Sequence, residues 1–372
     1  MRRGVANMRL HHGRAPRWLF GRMKRLCRAI AEIIVTEYGA TELLERLSDP
    51  VWFQSLGCVV GFDWHSSGVT TTVCGALKEG VKGMEKELGL FVCGGKGRAS
   101  RKTPEEIRGF SELFGLDGEA LVRASRMSAK VDSTALQDGY QVYHHVFVGT
   151  AEGRWAVVQQ GMNEDNGWAR RYHWFSESLN DFVVEPHEGV VCDHLCRPLN
   201  MVAREAGDSR VAVTEIAGES PDKTVKELSR IRELDMPGHH PVFPADISAA
   251  YLRKVLLSTY QSRPAGFDEL LLVPGVGPKT IRALALIADV VHGAKPSFRD
   301  PVTYSFAVGG KDGYPFPVNR EEYDRAVSIL ERGIKEAKLG RDEKLQALRR
   351  MESFYSQQTR GAKARARLSG KV

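Results

Sequence analysis

Residues 141–162 read QVYHHVFVGTAEGRWAVVQQGM, and their pattern decides the fold class. Two runs rich in Val, Tyr, Phe and Trp, at 141–149 and 154–162, flank Thr150-Ala-Glu-Gly153. Strand-favouring runs joined by a short glycine-containing turn predict a β-hairpin. Successive strand residues face opposite sides of a sheet, so at most one of the adjacent His144 and His145 joins the core, and the other needs a polar partner. The second strand ends in Gln159-Gln160, followed by the cationic run Arg170-Arg-Tyr-His173. Polar residues at strand ends are where sites form, and also where strands simply meet water.

Working outward, 16–38 places Leu19, Met23, Leu26, Ile30 and Ile33 on one helical face, ended by Gly39. Residues 41–56 read as helix. The stretch 69–81 fits either a helix capped by Ser66 or Ser67, or a strand favoured by Val-Thr-Thr-Thr-Val. A short strand at 88–93 runs into Gly94-Gly-Lys-Gly-Arg-Ala-Ser-Arg-Lys102, whose bare amides suit a phosphate, although a surface turn accounts for it equally. Three prolines and two histidines in 235–244 mark a linker. The expected fold is α+β. A mixed domain with the hairpin spans 1–200, a connector 201–244, a mainly helical domain 245–340, and a basic helix and tail 341–372.

The 372 residues are 42% hydrophobic and 27% charged, which suits two ordinary domains and excludes intrinsic disorder. No run approaches the roughly 18 uncharged apolar residues that span a membrane, so no membrane partner and a cytoplasmic location are expected. Six cysteines without a C-x-x-C pair exclude a disulfide framework. The local cluster His187, Cys192, His194 and Cys196 offers zinc-ligand types without a second pair at finger spacing. Against a net charge of +7, the first 28 residues carry nine Lys/Arg and no acid, and residues 341–372 carry nine against three acids. The stretch between is therefore acidic by eight. Positive charge at both ends suggests two contact zones for a polyanion, or merely solvated termini.

Residues 267–293 read FDELLLVPGVGPKTIRALALIADVVHG, a pattern of helix, tight turn and helix. Glycines 275 and 277 let the turn approach a phosphate closely, and the second helix directs its free amides at the same oxygen. Pro278 suits the first helical position, Lys279 adds a charge, and Thr280 adds a hydroxyl donor on an expected exposed first turn. Over 267–291 the pattern resembles the helix-hairpin-helix DNA-binding motif. That resemblance implies backbone contact with DNA through Gly275, Gly277, Lys279 and Thr280. Helix-hairpin-helix glycosylases carry a similar turn, whose lysine attacks the sugar in bifunctional members. They also need an aspartate in a Val-Asp-Thr-His-like segment, whereas this chain reads Lys295-Pro-Ser-Phe-Arg-Asp-Pro301.

Further segments resemble an uncharacterised prokaryotic family catalogued as domain of unknown function 763. They are Arg14-Ala-Pro-Arg-Trp-Leu-Phe20, Gly61-Phe-Asp-Trp-His-Ser-Ser-Gly68, the Gly-Gly-Lys-Gly loop, Asp138-Gly-Tyr-Gln-Val-Tyr-His-His145, Val158-Gln-Gln-Gly-Met162 with Arg170-Arg-Tyr-His173, and 305–317. The resemblance implies an intracellular protein working on DNA. Hydrolysis of a phosphodiester needs a divalent metal on carboxylates, or a general base beside cations. The expected catalytic set is Asp63, His65, Asp138, His144, His145 and Gln159, with Asp132 nearby. Asp63 and Asp138 would hold Mg2+ or Mn2+, and Arg170, Arg171 and His173 would form an electrostatic clamp, the two arginines also contacting DNA. No D-x-x-x-D signature is present, the hairpin reads Gln159-Gln-Gly161 where a (D/E)-x-K signature would end in Lys, and Asp138-Gly is a turn signal by itself. Three readings follow: a metal-dependent nuclease, a non-enzymatic DNA-binding or repair-accessory protein, and a glycosylase. Each is compatible with a homo-oligomer.

Overall fold

The computed structural model describes residues 2–3, 16–61, 67–232 and 249–305, together with 332, 334, 335, 340, 344 and 346–351. The linker expected at 235–244 and the loop holding Asp63 and His65 lie outside the described residues.

The chain is α+β. After β1 (Arg2–Arg3) come α1 (Arg17–Tyr38), α2 (Ala40–Ser48) and α3 (Pro50–Val59). The single helix expected over 41–56 is two, because Asp49 stops one and caps the next. Its Oδ1 accepts from the Val51 amide at 2.7 Å, and Pro50 takes the first helical position. The ambiguous stretch is helix α4 (Gly68–Val81), which packs on α1 and is followed by α5 (Glu85–Leu88). Next come β2 (Leu90–Lys96), α6 (Thr103–Phe114), α7 (Gly118–Lys130), a π-helical turn at Val131–Ala135, and β3 (Leu136–Gln137). The hairpin forms as expected from β4 (Gln141–Thr150) and β5 (Trp155–Asn163), and β6 (Trp168–Phe175) continues it. Then follow β7 (Gly189–Val191), β8 (Leu199–Asn200), α8 (Gly207–Ala217), α9 (Pro221–Arg232), α10 (Ala249–Ser262), α11 (Phe267–Leu272), α12 (Pro278–His292) and β9 (Tyr304–Ser305).

The main sheet runs β1-β9-β7-β6-β5-β4-β2, antiparallel from β7 to β2 and parallel at β9. Helices cover both faces, so the central strands are buried on both sides and alternation of apolar with polar residues is lost. Val146, Val148, Ala156, Val158 and Phe175 pack with α1 to α4 in one core. Phe147, Trp155, Val157, Tyr172 and Trp174 pack in a second core with residues from α6 to α12. This second core joins the hairpin to Leu271, Ile281 and Leu284, so the separation of 1–200 from 245–340 does not correspond to a break in packing. Among the described residues, no helix is long and apolar enough to cross a membrane.

Of the glycine-rich stretch, 94–96 end β2 and Gly97–Lys102 form a 3-10 helix. Gly94 lies at φ +90°, and a Cβ there would sit 2.3 Å from the His145 carbonyl oxygen. Its amide donates to Glu106 Oε2 at 2.6 Å, so a carboxylate of the chain already takes the first amide of the stretch read as a phosphate cradle. Lys78 neutralises that carboxylate at 2.7 Å. Gly94→Ala is expected to lower unfolding free energy by at least about 2 kcal/mol, since both the dihedral and the contact oppose a side chain. Urea denaturation checks this, and a loss below about 0.5 kcal/mol would contradict it.

Candidate functional site

The sheet carries its polar residues inside the protein. His145 pairs across the strands with Gln159, and His144 with Gln160, so the two histidines lie on opposite faces as the pleat requires.

On the face toward α7, a chain of hydrogen bonds fixes every donor. Trp174 Nε1 donates to Asp132 Oδ2 at 3.0 Å, and Gln159 Nε2 donates to the same oxygen at 2.5 Å. The amide nitrogen of Gln159 is thereby committed, so its Oε1 must accept from His145 Nδ1, 2.8 Å away. Burial lowers the His145 pKa, and the neutral ring then accepts from Ser125 Oγ at Nε2, also 2.8 Å away. His187 Nε2 donates to Asp132 Oδ1 at 2.5 Å, its ring set edge-on to Trp174 with centroids 4.8 Å apart. Asp132 sits in the π-helical turn after α7, which brings its carboxylate to this junction.

A second cluster on the same face centres on Arg170, which is fully buried. Its Nη1 meets Asp138 Oδ2 at 3.0 Å and its Nη2 meets Asp300 Oδ2 at 2.9 Å. The guanidinium lies over the Tyr140 ring, 4.6 Å from the centroid. Asp138 also accepts from Tyr172 OH at 2.7 Å and from the Tyr140 amide at 3.0 Å. Burial pushes the Asp138 carboxyl up, against Arg170, Tyr172 and the Tyr140 amide, which favour its charged form. A carboxylate held by three donors across its two oxygens could take a metal only by breaking this brace, so Asp138 does not fit the expected Mg2+ or Mn2+ ligand. Among the described residues, no three His, Cys, Asp or Glu form a group suited to a metal.

The opposite face carries Gln160, which accepts from Thr70 Oγ1 and donates to Tyr143 OH and, at 2.8 Å, to the Ser67 carbonyl. Arg171 is fully buried there. It donates to His173 Nε2 at 2.8 Å and Gln54 Oε1 at 3.1 Å, above the Phe53 ring at 4.7 Å. Burial pulls Arg171 down to about 9. His173 donates through Nδ1 to the Leu47 carbonyl at 2.9 Å, so its Nε2 is free to accept. His144 is buried with neither ring nitrogen partnered among the described residues, and burial, with His145 and Lys96 nearby, lowers its pKa to about 3.

The expected catalytic set is therefore not assembled among the described residues. Asp138, His145 and Gln159 share one face, His144 lies on the other, and Asp63 and His65 are outside the described residues. Arg170 and Arg171 do not contact DNA from this position, because both guanidiniums are sealed in the interior on opposite faces. The cysteine cluster also disperses. His187 serves Asp132, Cys192 Sγ donates to Tyr140 OH at 3.3 Å, and Cys196 Sγ donates to the Asp138 carbonyl at 3.4 Å. The central role of Asp132 and its pairing with His187 were missed, since 55 residues of sequence separate the two.

The turn between α11 and α12 stands at the surface. Pro274, Gly275, Pro278 and Lys279 are exposed, and Gly277 is half-buried. Gly275 adopts φ +89°, and a Cβ there would lie 3.3 Å from Val255 Cγ2. Gly277 is the N-cap of α12 and supplies no side chain to the helix amides. Lys130 Nζ donates to the Val276 carbonyl at 2.6 Å and Tyr251 OH to the Gly275 carbonyl at 3.1 Å, so both carbonyl oxygens are engaged by donors. Thr280 departs from expectation. It is 1% exposed, and its buried hydroxyl lacks a partner among the described residues, so it is not an external donor.

The buried histidines predict an acid limit to stability. His144 has a folded value of about 3 against its ordinary 6.5, so its contribution is complete above pH 6.5 and is lost as pH falls toward 3. His144→Leu removes that proton and is expected to reduce the pH slope of unfolding free energy in this window by about 1.4 kcal/mol per unit. Denaturation curves at several pH values read the slope, and one identical to wild type would contradict the assignment.

No curated protein and no solved structure matches the chain. A family profile, described as Protein of unknown function (DUF763), matches residues 4–318. With most of its length matched, the chain belongs to the DUF763 family.

Proposed function

We propose that this protein binds DNA through the sugar-phosphate backbone, as a non-enzymatic DNA-binding or repair-accessory protein acting in the cytoplasm. The observation that carries the reading is the exposed turn at 274–279, where an uncapped 15-residue helix begins beside exposed Lys279. A helix N-terminus offers unpaired amides and the positive end of its dipole to an anion. A Ser or Asp at the N-cap would satisfy those amides internally, whereas Gly277 leaves them to a ligand. The carbonyls of Gly275 and Val276, which would repel a phosphate, are already engaged by Tyr251 and Lys130.

What supports the accessory role over a metal-dependent nuclease is the state of Asp138, whose carboxylate is committed to Arg170, Tyr172 and a backbone amide. The glycosylase reading loses its aspartate in a similar way. Asp300 accepts from Arg170, the Cys196 amide and the Val302 amide.

Fluorescence anisotropy with labelled duplex DNA tests the reading. Lys279→Glu is expected to weaken binding at least about tenfold and to reduce the slope of log affinity against log salt by about one, independent of sequence. Gly277→Asp, which caps the amides from within, is expected to weaken it similarly. Wild-type affinity in both variants would contradict the proposal, and DNA cleavage that requires Mg2+ or Mn2+ would restore the nuclease reading.

A further inference from the structure

A pocket of about 190 Å³ opens on the helical layer that contains α1, remote in sequence from the 274–279 turn. Trp18, Arg22, Val60 and Arg350 line it together with Leu19 and Gln346, and Leu26 and Gly61 complete it. No acidic residue is among these. Trp18 is 63% exposed, an unusual position for so large an aromatic ring, and Arg22 lies 5.1 Å from the ring centroid. Arg350 reaches in from the helical residues 346–351. Its Nε and Nη2 donate to the Val59 carbonyl at 3.3 and 3.2 Å, which fixes the guanidinium at the rim. A guanidinium carries five N–H donors, so three of those of Arg350 have no partner among the described residues.

We infer that this pocket holds one nucleotide unit of single-stranded DNA, with the base against Trp18 and the phosphate against Arg22 and Arg350. The inference deepens the DNA-binding reading and rests on it. The volume is below the roughly 300–1,000 Å³ that encloses a drug-sized ligand, so it accommodates one ring system and leaves sugar and phosphate at the mouth. A cation on one face of an indole leaves the other face for stacking, and every base presents a π-face, so the site discriminates strandedness more than sequence. In a duplex the base faces are covered by their neighbours. Arg22 and burial both disfavour charge on Arg350, and an anion between the two guanidiniums relieves that repulsion.

The test compares a labelled twelve-residue oligothymidylate, a duplex of mixed sequence and thymidine monophosphate. Trp18→Ala is expected to weaken oligothymidylate binding about tenfold, and Arg350→Gln several-fold, with duplex binding unchanged. Because Trp18 is exposed, its removal is expected to leave the melting temperature unaltered, which circular dichroism confirms. Lys279→Glu separates the two readings. If it leaves every affinity intact while Trp18→Ala weakens the oligonucleotide, the turn fails as the contact and the pocket stands. Oligothymidylate affinity equal to wild type in both pocket variants would overturn the inference. So would monophosphate binding as tight as that of the oligonucleotide, which would assign the pocket to a free nucleotide.

Discussion

A buried arginine shared by two aspartates holds this molecule together. Arg170 takes Asp138 from just before the hairpin and Asp300 from just before β9, segments 162 residues apart, and binds both to the middle of the sheet. Removing charges from water is costly, and the attraction compensates only when geometry and hydrogen bonding are good. Here Tyr172, the amides of Tyr140, Cys196 and Val302, and the face of the Tyr140 ring complete the arrangement. Losing Arg170 would leave buried Asp138 and half-buried Asp300 without their counter-charge, a defect on the order of 3–5 kcal/mol.

The same logic explains why β6 carries Arg-Arg-Tyr-His-Trp through a fully buried stretch. Each polar side chain reaches a partner on another element, so the strand acts as a connector. Arg171 and His173 grip Gln54 and the carbonyls of Pro50 and Leu47 on one side, while Tyr172 and Trp174 meet Asp138 and Asp132 on the other. Chemistry-bearing residues thus collect in the interior as braces, which leaves the periphery, at the 274–279 turn and in the Trp18 pocket, as the place proposed for contact with anions.

Local signals were legible in the sequence where neighbouring residues decide the outcome. Val, Tyr and Trp around Thr150-Ala-Glu-Gly153 specified the hairpin, and the spacing of Met23, Leu26 and Ile30 specified the buried stripe of α1. The helix-turn-helix pattern at 267–293 was equally plain. Non-local pairing was not legible. Asp138 looked like a metal ligand because its side-chain partners, Arg170 and Tyr172, are distant in sequence. Arg170 and Arg171 looked like surface cations because cationic strand residues usually face water, whereas here helices seal both faces of the sheet. Thr280 read as exposed because its neighbour Lys279 is, yet one step along a helix rotates a side chain by about 100° and turned it inward. The candidate set also mixed residues from both faces, since His144 and His145 are adjacent in sequence and separated by the sheet in space.

The central claim is that the polar sheet residues brace the interior while DNA contacts the exterior turn. Hydrogen–deuterium exchange with and without duplex DNA measures this directly, because it reports each backbone segment in the unmodified protein. The account predicts added protection across 274–281 and none across β4 to β6. Protection of 159–171 on DNA binding, with 274–281 unchanged, would contradict it.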